Sequence, residues 1–345
     1  MKCPAQKIEI FTGTGGVGKT TLATSRAVKL AQSGRKVLLI TIDPSKRLKQ
    51  ILNLDDDESG KAKTVSLDSF IESDATMDAL LLSPAETLRK MADEDNGNID
   101  NPILKTLSKP YGGLNEIMAM VELHYQLQSE KYDTIVLDTP PGKHFLDFLK
   151  SGKKIHDFFD NSFIDIFRAF GRNAKGQKIS QGLFSSLINT GIKKLLKYLE
   201  KVTGKDFIET FVNAIIAIYS CKNAFLSSLQ LQDELQKNDF TNLFLVTSVE
   251  HNKLFEAEEM HSRMQESVRC KNYLAINRCL AKDLHRWIPN PDTELFQIKA
   301  SMLERENKLK EYAKQKFENI LEFPDVIDSS PGKHVGQLAQ AWLIE

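Results

Sequence analysis

The sequence predicts an α/β fold, a doubly wound and mostly parallel sheet with helical segments inserted between its strands. Three observations lead there. Short apolar runs recur along the chain, at residues 8–12, 36–42, 134–138, 243–247, 273–277 and 319–323, each of strand length. Stretches of helical periodicity separate several of them, at 20–32 and 254–266, and strand-helix alternation is the signature of a parallel sheet covered on both faces. The run Val37, Leu38, Leu39, Ile40 is apolar without alternation, as a strand buried on both sides requires.

The first strand leads into Gly13-Thr14-Gly15-Gly16-Val17-Gly18-Lys19-Thr20, followed by a helix that Gly34 ends. This is the G-x-x-x-x-G-K-[ST] pattern in its proper context between a strand and a helix. Glycines let the backbone wrap an anion, so that its N–H groups and the helix N-terminus face phosphates. The motif implies ATP as ligand. Lys19 is expected at the β and γ phosphates, the Thr20 hydroxyl on Mg²⁺, and Thr21 at the α phosphate. Asp138 closes an apolar strand as a Walker B carboxylate does, with a role at Mg²⁺ through water. Asp43 follows the second strand. It either orients the water attacking the γ phosphate or caps the helix read from Ser45 to Leu54.

Beyond residue 60 the reading is coarser. Residues 67–129 and 152–237 read as two helical regions interrupting the sheet. Within the second, Ile155, Phe158, Phe159, Phe163, Ile166, Phe167 and Phe170 recur at helical spacing. Such a stripe packs a subdomain or lines a groove for an apolar ligand. The 345 residues are read as one domain, 1–345, carrying a helical subdomain at 151–237 as the client-binding candidate.

Charge and composition narrow the function classes. With 46 basic and 46 acidic side chains there is no net field toward nucleic acid or anionic lipid. Lys193, Lys194, Lys197 and Lys201 read as a solvated helix face, so no nucleic-acid partner is expected. No apolar leader and no run of about 18 apolar residues is present, which leads to a cytoplasmic expectation. The four cysteines, Cys3, Cys221, Cys270 and Cys279, form no Cys-x-x-Cys pair.

The loop, Asp43-Pro44 with a helix after it, and Asp138-Thr139-Pro140-Pro141-Gly142-Lys143-His144 together resemble the ATPases of arsenite pumps and of tail-anchored-protein targeting. Val246 to Glu250, Ile276-Asn277-Arg278 and Phe323-Pro324 extend the resemblance over most of the chain. It implies a deviant P-loop ATPase working as a homodimer. Asp43 then polarises the water, and the segment of Asp138, Pro140, Gly142 and His144 is a switch sensing the γ phosphate. Asn277 and Pro324 contact adenine. The family's loop carries a lysine after its first glycine that crosses to the partner's phosphates, whereas this chain has Thr14. Lys46 or Arg47 is the candidate substitute. The implied activity is a Mg-dependent ATP switch whose client is an apolar protein segment, with membrane association only through a partner. Two alternatives stand beside it: a spatial regulator or scaffold of the MinD and ParA kind, and an arsenite or anion efflux subunit.

Overall fold

The computed structural model describes residues 3–42, 46–52, 54, 59–94, 114–140, 231, 235, 239–265, 269–291, 293–328 and 330–343. Its elements run β1 (Ile8–Gly13), α1 (Lys19–Gln32), β2 (Val37–Thr41), α2 (Lys46–Leu52), β3 (Ala62–Ser66), a 3-10 turn (Leu67–Ser69) and β4 (Thr76–Leu81). After these come α3 (Pro84–Glu94), α4 (Leu114–Gln128), β5 (Thr134–Asp138), β6 (Thr241–Ser248), α5 (His251–Gln265) and β7 (Lys271–Cys279). The last described elements are α6 (Ala281–Arg286), α7 (Glu294–Lys316), β8 (Ile320–Pro324) and α8 (Pro331–Gln340).

The strands form one eight-stranded sheet in the order β3-β4-β2-β5-β1-β6-β7-β8. Every pairing is parallel except β3 with β4, which is antiparallel at one edge. Burial follows position. β1, β2, β5 and β6 are buried along their whole length, as their apolar runs require, while the edge strands β3 and β8 alternate buried with exposed residues.

The region 67–129 is not the helical segment that the periodicity predicts. It opens on the 3-10 turn, and β4 then enters the sheet beside β2. The apolar run of β4 passes within a few residues into α3, and a short apolar run at a helix start carries no period of its own. The stripe of apolar residues at 155–170 lies outside the described residues.

By compactness the chain divides into a sheet-bearing unit, residues 1–82, 125–150 and 232–345, and a second unit, residues 83–124 and 151–231. In the second unit the buried Glu122 carboxylate accepts from the Thr87 hydroxyl at 2.9 Å and pairs with Lys90 at 2.7 Å, joining α3 to α4. Among the described residues no helix is long and apolar enough to cross a membrane.

The core of the sheet-bearing unit lies between one sheet face and α1 with α8. Phe11, Phe244 and Tyr273 sit side by side in register on β1, β6 and β7. Their rings stack at 4.5 and 5.3 Å, and Trp342, just past α8, meets Phe11 and Phe244 edge-on. Beneath this stack lies a fully buried ion pair: Arg26 of α1 donates to both oxygens of Glu9 on β1, at 2.7 and 2.8 Å. Burial alone would lower the Arg26 guanidinium, but the Glu9 charge and its hydrogen bonds outweigh that and raise it. Trp342 donates its indole N–H to Ser25 of α1 at 2.9 Å, and the Arg26 guanidinium lies 4.8 Å from the Trp342 ring.

Two glycines let α8 approach the 3-10 turn. A Cβ on Gly332 would sit 2.0 Å from the Ser69 carbonyl oxygen, and one on Gly336 would sit 1.9 Å from that of Phe70. Gly336→Ala is therefore expected to lower the thermal midpoint by about 2–6 °C, although alanine is the better helix former. Melting followed by circular dichroism checks this, and a raised midpoint would show that α8 shifts without cost.

Candidate functional site

The phosphate loop is built at the carboxyl end of β1, the central strand between β5 and β6. Gly13 ends that strand at φ 149°, and a Cβ there would lie 2.3 Å from the Val246 carbonyl oxygen, so only glycine fits against β6. Gly18, left-handed at φ 92°, turns the loop into α1. No side chain caps α1 and its first turn holds no acidic residue. Its leading N–H groups and dipole are thus not taken up by a capping side chain or an acidic residue of the helix itself.

Several of the side chains named from sequence gather here. Lys19 is buried with Nζ 3.4 Å from the Thr14 carbonyl oxygen, folded back along the loop. The Thr20 hydroxyl donates to Asp138 Oδ2 at 2.7 Å, joining the loop to the end of β5. Thr21 follows on the first turn of α1. Gly15 and Gly16 are exposed at the loop's tip and Val17 is buried beneath it. Thr14 is also buried, and among the described residues none bonds its hydroxyl. A short, inward-facing threonine does not extend from the loop as the family's lysine does.

Two threonines that sequence reasoning passed over complete the frame. The Thr41 hydroxyl at the end of β2 donates to the same Asp138 oxygen at 3.2 Å. Thr139 donates its N–H and its hydroxyl to the Phe11 carbonyl, at 3.1 and 2.9 Å, which fixes the chain as it leaves β5 toward Pro140. The parallel register sets Phe11 and Thr41 on either side of Asp138, a pairing that the sequence alone does not reveal.

Asp43 and the switch residues Gly142 and His144 lie outside the described residues, as do the side chains of Lys46 and Arg47. The backbone leading to Asp43 is held, with the Ile42 N–H bonded to the Asp138 carbonyl at 3.2 Å. Asn277 reaches the loop from β7, its Nδ2 donating to the Val17 carbonyl at 2.9 Å. Pro324 ends β8 opposite Cys279.

The donor set fits a small hard cation. Thr20 and Asp138 offer only oxygen, already within hydrogen-bond distance of each other beside the loop, which suits Mg²⁺. Among the described residues no three histidine, cysteine or carboxylate side chains assemble into a further metal cluster. A shallow groove of about 710 Å³ along α7, beside Ala300, Leu303, Asn307 and Tyr312, is lined by none of the loop residues.

The chain is similar to ATPase GET3 of Malassezia globosa, 28% identical over 204 residues that cover 59% of this chain and 57% of that protein. It is similar to a protein of Aquifex aeolicus assigned as arsenical pump-driving ATPase 2, 30% identical over 169 residues, 45% and 52% of the two chains. A third relative is ATPase get3 of Botryotinia fuckeliana, 35% identical over 141 residues, 40% of each chain. The chain thus spans about half the length of the curated relatives it matches. The model of the anion-transporting ATPase family matches residues 6–321, nearly the whole sheet-bearing unit and what is inserted in it. The chain belongs to that family of ATPases.

Proposed function

We propose that the protein is a Mg²⁺-dependent ATP switch that hydrolyses ATP and couples its nucleotide state to binding of an apolar protein segment, acting as a homodimer. The hydrogen bond from Thr20 to Asp138 carries the hydrolysis reading, because it places the hydroxyl of the phosphate loop and the carboxylate of the fifth strand at one point. Loop N–H groups and the N-terminus of α1 bind the phosphates, and Lys19 turns its ammonium to the β and γ oxygens. Thr20, and Asp138 through water, would hold Mg²⁺, which would neutralise phosphate charge. Asp43 orients the attacking water, and Asp138 passes the loss of the γ phosphate to Pro140, Gly142 and His144. Asn277 and Pro324 flank the adenine.

The dimer and the client rest on the resemblance and on apolar surface. Trp287, Ile288, Leu295, Phe296 and Ile298 are all exposed on the segment from the end of α6 into α7. Where such residues form one contiguous patch, they mark a partner surface. A second reading, export of an anion or metalloid, is favoured by the relative named for arsenical pumping. Arsenite needs thiolates, and burial pushes Cys3 up to about 11 and Cys270 and Cys279 up to about 12.

The deciding experiment is ATP turnover with light scattering for mass, on the wild type and Asp43→Asn, with and without Mg²⁺. Asp43→Asn is expected to bind ATP, form a stable dimer and lose turnover. A variant that turns over at the wild-type rate would return Asp43 to helix capping. Turnover that rises on adding arsenite would favour the export reading instead.

A further inference from the structure

The resemblance gives Asn277 a single task, at adenine. The geometry points to another: Asn277 is a positioning residue that braces the phosphate loop, and a bulge in β7 exists to aim it there. The inference rests on the phosphate-site reading and adds a link between base and phosphates.

Asn277 is buried, and its Nδ2 donates to the Val17 carbonyl at 2.9 Å, tying β7 to the middle of a loop that lies 260 residues earlier in sequence. The fit is tight on the neighbouring residue too. A Cβ on Gly18 would lie 2.3 Å from Asn277 Nδ2, so the glycine that turns the loop into α1 also makes room for the amide.

β7 pays for this aim in regularity. Its pairing with β8 runs Ile276 opposite Glu322 and then Cys279 opposite Pro324, which places one extra residue on β7. Bulges are uncommon between parallel strands and serve to re-aim a side chain beside a site. The strain is visible at Arg278, which is exposed and holds φ 62°, a left-handed conformation that residues with a Cβ seldom adopt. On the other side β7 keeps regular register with β6 up to Ser248 opposite Asn277. The irregularity therefore begins at the residue that reaches the loop.

Asn277 takes up the Val17 carbonyl on the β7 side, so that this acceptor is already satisfied within the protein. An anion nest is made of N–H groups, and a loop carbonyl held elsewhere does not oppose the anion. A brace of this kind acts on any ligand with phosphates, whether or not it has a base.

Binding of Mg²⁺-tripolyphosphate, which has no base, separates the two tasks. Calorimetry on the folded full chain is expected to show Asn277→Ala weakening tripolyphosphate about tenfold, as for one buried hydrogen bond, and ATP by at least as much. A loss confined to ATP, or no loss for either, would overturn the brace. Because Asn277→Ala removes a buried side chain, a second pair leaves that residue in place. Arg278→Gly and Arg278→Val both delete the same charge but differ in tolerance of the left-handed backbone. Gly is expected to keep tripolyphosphate affinity and Val to lose about tenfold of it as the bulge straightens. Equal affinity in the two overturns the role of the bulge. A wild-type chain that binds neither ligand overturns the phosphate-site reading itself, and the brace with it.

Discussion

Lys19→Met is expected to reduce ATP turnover by at least about a thousandfold while leaving the melting temperature near that of the wild type. Lys19 is the one cation between Gly13 and Thr20, since Thr14 stands where the family carries another. Its ammonium is buried and lies 3.4 Å from the Thr14 carbonyl oxygen, at the loop itself. Removing a charge aimed at phosphoryl oxygens in a site of this kind costs on the order of 10²–10⁵ in rate. Methionine keeps the length and most of the packing of the lysine stem, so the fold is spared. Phosphate release measured beside a thermal melt separates the two effects. Turnover within tenfold of the wild type would mean that the loop does not carry the chemistry.

The largest effect on stability is expected from the buried pair behind the loop. Arg26→Met strands the Glu9 carboxylate in the core, and loss of one partner of a buried pair costs about 3–5 kcal/mol. The remaining donors to Glu9, the Gln6 N–H and Asn242 Nδ2 at 3.3 Å each, are neutral and long. Adding Glu9→Leu removes the stranded charge, so the double variant is expected to recover most of the loss. Urea denaturation of the four proteins in this cycle measures the coupling. A single variant within about 1 kcal/mol of the wild type would show that Glu9 is not left as a stranded charge in the core.

Much of this molecule is legible before any coordinates. The central strands announce themselves because burial on both faces leaves runs such as Leu38-Leu39-Ile40 and Ile135-Val136-Leu137. The loop is legible because glycines at 13, 16 and 18 answer a backbone demand that few other residues meet. β3 and β4 were not: β3 is an edge with a single buried residue, Val65, and no apolar run, and β4 merges with the start of α3. The Glu9–Arg26 pair was hidden for a different reason. Nothing in a strand's period says that a glutamate points into the core, and only the arginine two turns down α1 makes it tolerable. Asn277 was found through resemblance, but its bond to Val17 depends on Arg278 taking a conformation that the sequence gives no sign of.

The order of strands has a consequence for how the chain comes to bind nucleotide at all. β1 is made first, yet its neighbours are β5 and β6, with Ile8 opposite Ile135 on one side and Thr241 on the other. Until both arrive, β1 is an apolar segment with two bare edges and the loop has no wall to turn against. Contacts of such separation form late and make folding slow. During synthesis, then, a growing chain carries its complete loop motif for a long time without affinity for phosphate, and nucleotide can stabilise only molecules whose sheet is already closed.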